Sequence, residues 1–133
     1  MKVAVSSVGS DLNALIDPRF GRCAYFLVVE TNDMSFDVFD NASRALGGGA
    51  GIQAAQFVAS RGVKAVITGN CGPNAVEVLS AAEIELFLEN SGTVKEALEK
   101  YKNKELTPAT RANAPEHAGM GGGGGMGTGR KMP

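Results

Sequence analysis

The chain has no tryptophan, one histidine and only two cysteines among its 133 residues. A single histidine, His117, excludes zinc sites built on paired imidazoles and any dyad that needs two. The cysteines, Cys23 and Cys71, lie far apart and neither opens a C-x-x-C pair. A self-sufficient zinc or iron–sulfur centre therefore lacks its usual ligand spacing. In a reducing compartment the two read as free thiols or ligands rather than a disulfide. No apolar run approaches the roughly 20 residues that cross a bilayer, and "MKVAVSSVG" is too short and strand-like for a secretory signal. The expectation is a cytoplasmic protein with no membrane partner. A formal net charge of -1, with Lys and Arg scattered, gives no electrostatic case for nucleic acid. Serine elbows, HExxH, GK[ST] and a GxGxxG after a strand are all missing. No residue is assigned a catalytic role, and the chain is expected not to be an enzyme.

What is present fits one modest core: 44% hydrophobic and 20% charged residues. Of the 18 glycines, 8 lie between Gly119 and Gly129, together with Met120 and Met126. Ordering so many glycines costs more backbone entropy than the surrounding side chains can recover. The organisation expected is a globular domain over 1–106 and a flexible Gly/Met-rich tail over 107–133.

Within 1–106, "KVAVSSVG" reads as a strand, followed by a shaped loop containing "DPRFGR", where Pro18 and Gly21 restrict and permit backbone angles respectively. "CAYFLVVE" and "SFDVFDN", joined by a short polar link with Asn32 and Asp33, read as a hairpin whose second strand has one wet face. Ile52, Ala55, Val58 and Ala59 recur at helical spacing, with Gly62 placed to stop that helix. "VKAVIT" reads as a central strand, Pro73 as the first turn of the helix "PNAVEVLSAA", and "IELFLE" as a further strand. Thr93 and Glu96 have capping-box spacing ahead of "VKEALEKYKN". Helices between the later strands imply parallel crossovers, so an α/β sandwich with a mixed, mostly parallel five-stranded sheet is expected.

Three segments can carry chemistry. In "TGNCGPNA" the backbone amides at Gly72, Asn74 and Ala75 open a helix, and such donors attract an anion. A helix start also lowers the pKa of a nearby thiol, which would make Cys71 a metal ligand. The same residues equally serve as a well-made helix start with Cys71 filling a small space. In "DPRFGRC", Arg19 and Arg22 offer forked donors to an anion, with Cys23 behind them. The structural alternative pairs Asp17 with an arginine, lays Phe20 over the core edge and buries Cys23. "ALGGGAG" is a helix entry or a lid. His117 and the tail methionines are donors for a soft metal if the tail folds back.

Taken in order, "DPRFGRCAYFLVVE", "GGGAGIQAAQFVASRGVKAVITGNCGPNA" and "VKEALEKY" resemble the dinitrogenase iron–molybdenum cofactor biosynthesis family, the NifX and NafY group also found as the carboxyl-terminal part of NifB. The resemblance spans roughly 1–106, with family-like features at Asp17, Pro18, Arg19, Phe20, Gly21, Gly69, Gly72, Pro73, Asn74 and Ala75. It implies a ribonuclease H-like three-layer fold without nuclease activity. It also implies binding or carriage of a labile iron–sulfur, iron–molybdenum or other metal-sulfide cluster, one expected to be lost on aerobic purification. The partners implied are cluster donors or acceptors such as an assembly scaffold or ATPase. Members that bind the nitrogenase cofactor use a loop histidine, and this chain has none before His117. The expected cargo-binding set is therefore Arg19, Arg22, Gly69, Asn70, Cys71, Gly72 and Asn74, with Cys71, Cys23 and His117 as metal ligands. A non-catalytic interaction module acting through the tail is the alternative.

Overall fold

A computed structural model describes residues 1–113; His117 and the rest of the Gly/Met-rich segment lie outside the described residues. Five strands are present: β1 (Lys2–Ser7), β2 (Tyr25–Glu30), β3 (Phe36–Asp40), β4 (Ala65–Ile67) and β5 (Glu85–Phe87). Among the described residues three α-helices accompany them: α1 (Ala50–Ser60), α2 (Pro73–Ala81) and α3 (Val94–Lys102).

The sheet order is β3-β2-β1-β4-β5. β1 pairs with β2, and β2 with β3, in antiparallel fashion, whereas β1–β4 and β4–β5 are parallel. The mostly parallel, ribonuclease H-like sheet expected from the sequence is thus corrected to a mixed sheet with two pairings of each kind. The reason is topological. Helix α1 carries the chain from β3 to β4 across the two intervening strands β2 and β1, so this crossover creates no β3–β4 pair. The connection from β1 to β2 contains no helix and returns the chain antiparallel.

Alternation along the strands feeds two cores. Val3, Val5, Leu27, Val29, Ala65, Ile67 and Phe87 face α3, which contributes Val94, Ala97 and Leu98. Ala4, Phe26, Val28, Val66 and Leu86 face α1 and α2, which bring Ala54, Ala55, Val58, Ala75 and Leu79. Phe36 and Val38 on β3 remain exposed, as the wet face of an edge strand requires. The carboxyl ends of β1, β4 and β5 open on one end of the sheet, and the starts of α2 and α3 rise from there.

Candidate functional site: paired helix starts at the strand ends

Asp17 organises the first loop at this end. Its amide donates to the Ser6 carbonyl (3.0 Å), and Ser6 Oγ donates back to the Asp17 carbonyl (2.7 Å) while sharing a hydrogen bond with Thr68 Oγ1 (2.7 Å). The Asp17 carboxylate, only 2% exposed, accepts from the amides of Arg19 (3.1 Å) and Ala24 (3.3 Å). It also pairs with the Arg19 guanidinium at 3.3 Å. A carboxylate this buried needs such donors, since leaving it bare would cost several kcal/mol. The Arg19 side chain is 60% exposed, so the ion pair adds little to stability and leaves the guanidinium facing solvent.

The loop is docked on the bend after β4. Asn70 donates from its amide to the Pro18 carbonyl (2.6 Å), and the Phe20 amide donates to the Asn70 carbonyl (3.1 Å). A Cβ added at Gly69 would stand 2.7 Å from Pro18 Cα, and one at Gly21 would stand 2.8 Å from the Gly51 nitrogen. Both positions need glycine for close backbone approach, and at Gly21 it is this packing rather than a positive φ that requires it. Arg22 is committed elsewhere, its Nη1 donating to the carbonyls of Arg44 and Leu46, both at 2.8 Å, on the segment that leads into α1.

Both thiols are buried. Cys23 is 0% and Cys71 2% exposed, and both belong to the core under α1 and α2. Burial pushes the Cys71 thiol up to about 12. It also pushes up the Cys23 thiol, with the Asp17 carboxylate acting in the same direction. For Cys71 the direction is thus opposite to the lowering expected at a helix start, because burial disfavours the thiolate. For the Asp17–Cys23 loop the structural alternative describes what is seen, with Asp17 on Arg19 and both Phe20 and Cys23 buried.

What this end does offer is backbone. Gly72 caps α2 and Gly49 caps α1, neither with a side-chain hydrogen bond, and Gly49 adopts φ 77°, a left-handed conformation that glycine tolerates. The first turns meet where a Cβ on Gly51 would lie 3.5 Å from Ala75 Cβ. Two helix starts therefore stand side by side, with Arg19 at the β4–α2 bend and Arg22 at the approach to α1. Adjacent amide groups of this kind favour negative charge. Gly69, Asn70, Cys71, Gly72 and Asn74 form the bend itself, so the structure brings these together with Arg19. Among the described residues no group of three or more His, Cys, Asp or Glu is placed to hold a metal ion.

One residue escaped sequence reasoning. Asn113 donates its amide to the Cys71 carbonyl (3.2 Å) and accepts from the Cys71 amide through Oδ1 (2.8 Å). Its Nδ2 donates to the Gly69 carbonyl (3.0 Å) and Asn70 Oδ1 (3.1 Å). A lone asparagine in "TRANAP" carries no periodicity or motif that would have flagged it.

A mixed five-stranded sheet covered by helices on both faces defines a small α/β protein. The chain belongs to the dinitrogenase iron-molybdenum cofactor family, whose model matches residues 1–104. It is similar to the apo form of the orange protein from Desulfovibrio gigas, with 38% identity, TM-score 0.82, and 84% of this chain and 95% of that one covered. A Thermotoga protein provisionally named NifB shows 35% identity and TM-score 0.72 over 82% of this chain and 93% of its own. An uncharacterised protein of Methanocaldococcus jannaschii is 29% identical over 97 residues, covering 71% of this chain and 82% of the relative. No helix among the described residues is long and apolar enough to cross a membrane.

Proposed function

We propose that this protein is a non-catalytic cytoplasmic carrier that binds an anionic metal–sulfur cluster and passes it between a donor and an acceptor protein of cluster assembly. Family membership over 1–104 is the observation that carries this reading. The geometry supports a particular grip. The cargo sits on the bend formed by Gly69, Asn70, Cys71, Gly72 and Asn74, facing the uncapped starts of α1 and α2, with Arg19 and Arg22 at its margins. Its negative charge is met by amide hydrogens and guanidinium groups, which are strong donors to anionic acceptors.

The thiols enter differently from the sequence expectation. Cys71 and Cys23 are buried and protonated, so direct ligation would require the core to open. The proposed hold is therefore through hydrogen bonds and charge, and a carrier gripping its cargo in this way also releases it readily. His117 lies outside the described residues.

The test uses tetrathiomolybdate, a compact thiometallate dianion, added anaerobically to the full chain. Molybdenum and sulfide that co-elute with the protein, together with visible absorption, report uptake. The expected result is retention that weakens with ionic strength, falls several-fold in Arg19→Ala, and survives in the Cys23→Ala/Cys71→Ala double variant. Absence of retained molybdenum on the wild-type chain would sink the proposal. Loss confined to the double cysteine variant would restore thiolate ligation in its place.

A further inference from the structure

The chain beyond α3 does not leave the domain at once. The Ala109 amide donates to the Leu86 carbonyl on β5 (2.7 Å), and Asn113 makes its four hydrogen bonds to the β4–α2 bend. Between these points only Ala112 is half-buried; Thr110 and Arg111 are exposed. The segment 107–113 is thus a strap fastened at two places and supported by little apolar burial. Segments of that kind open locally at low cost.

The position of its end is what matters. Asn113 Oδ1 sits on the Cys71 amide, the donor that immediately precedes the Gly72 cap of α2. The same carboxamide uses its Nδ2 on Gly69 and Asn70, so its plane lies across the bend and engages three successive residues. A carboxamide oxygen is a neutral acceptor, and it stands where an anion's oxygen or sulfide would otherwise accept. Any anionic guest that takes the Cys71 amide must first displace it.

We propose that residues 107–113 form an intramolecular strap whose Asn113 carboxamide plugs the Gly69–Cys71 bend, so that an anionic guest binds by displacing it. This rests on the cargo site proposed above. The strap makes guest binding and strap release one coupled equilibrium: the guest's apparent affinity is lowered by the strap's own hold. Release is equally a handle by which an acceptor protein, drawing the strap away or pressing it back, changes cargo affinity.

Two readouts decide the matter. Amide hydrogen exchange at Cys71 needs no cargo, and in Asn113→Ala, which removes the carboxamide's three hydrogen bonds including the one on the Cys71 amide, it accelerates by about tenfold or more. Exchange in α3 stays unchanged and serves as the folding control. Tetrathiomolybdate titration then shows tighter binding to Asn113→Ala by a similar factor. Asn113→Asp, which keeps an acceptor for the Cys71 amide but places a negative charge on the bend, binds more weakly than wild type. In wild-type protein, saturating tetrathiomolybdate removes the protection of the Ala109 amide and of the Asn113 side-chain NH2. Unchanged Cys71 exchange in Asn113→Ala would overturn the plug itself. Faster exchange without tighter binding would overturn displacement while leaving the cargo site intact. Binding by neither protein would overturn the cargo site, and displacement with it.

Discussion

The starts of α2 and α3 rise from the same end of the sheet and are finished in opposite ways. At α3 the amides of Val94, Lys95 and Glu96 donate to the Ala14 carbonyl (2.9 Å), the Leu12 carbonyl (2.9 Å) and Thr93 Oγ1 (3.1 Å). The Glu96 carboxylate closes the box on the Thr93 amide at 2.8 Å, and that hydrogen bond holds its carboxyl below the ordinary range. The helix is sealed by its own protein. At α1 and α2 glycines occupy the cap positions, no side chain caps either helix, and the two first turns touch. The difference separates a start closed by side chains and loop carbonyls from starts finished by glycine alone. Glycine at an N-cap costs only a few tenths of a kcal/mol against a capping side chain, so these two starts give up little stability.

The contrast can be broken most forcefully where backbone meets backbone. Gly69→Ala drives a Cβ to 2.7 Å from Pro18 Cα, and the Asp17–Cys23 loop must move off the bend. A loss of about 1–3 kcal/mol is expected in urea unfolding, with reduced tetrathiomolybdate uptake. A stable variant with full uptake would show that the loop's docking on the bend is irrelevant to the site.

Alkali probes what lies beneath the open starts. Cys71 keeps its proton to about pH 12 when folded, against 9.0 for its ordinary value. Between those values the folded chain binds more protons than the unfolded one. Stability is therefore whole below about pH 9 and falls as pH rises, by at most about 1.4 kcal/mol per pH unit for this thiol. Cys23, raised in the same direction, steepens the decline. Urea midpoints measured upward from about pH 8 should fall, and more gently in Cys71→Ala. A flat profile would mean that the thiols reach solvent in the folded protein, reopening thiolate ligation.

At the sealed start, Thr93→Ala removes the cap and half of the box, for an expected loss of about 1 kcal/mol. Uptake of tetrathiomolybdate should not change, because α3 packs on the other face of the sheet. A fall in uptake would place α3 in the site. The gentlest perturbation copies the sealed design onto the open one. Gly72 has φ -80°, which an L-residue adopts freely, so Gly72→Asp can cap α2. Stability should rise by only a few tenths of a kcal/mol, while the added carboxylate repels an anion and uptake drops. Unaltered uptake would argue that the α2 amides do not face the guest.

Much of this architecture is readable along the chain. Thr93 and Glu96 announce the capping box, Pro73 marks the first turn of α2, and the hairpin from Tyr25 to Asp40 follows its short polar link. These are local signals, carried by residues within a few positions of one another. The pairing balance was not readable, because a helix between two strands reveals a crossover without saying which strand lies alongside. The site was legible only in part. "DPRFGRC" and "TGNCGPNA", far apart in the chain, meet in the structure through the bridge between Arg19 and Asn70. The depth of the thiols was hidden, since a cysteine at a bend reads alike whether it faces solvent or core.

By itself, then, the sequence determined the elements, their caps and the glycine positions, because propensity, capping and alternation act over short stretches of chain. Only the tertiary structure decided that Gly69 and Gly21 serve close packing, that Cys23 and Cys71 are desolvated, and that Asn113 lies across the bend. Burial and hydrogen bonding between residues more than 40 positions apart depend on how the layers stack, as with Cys71 and Asn113 at a separation of 42. That information is distributed over the whole chain, and no short stretch of it holds the answer.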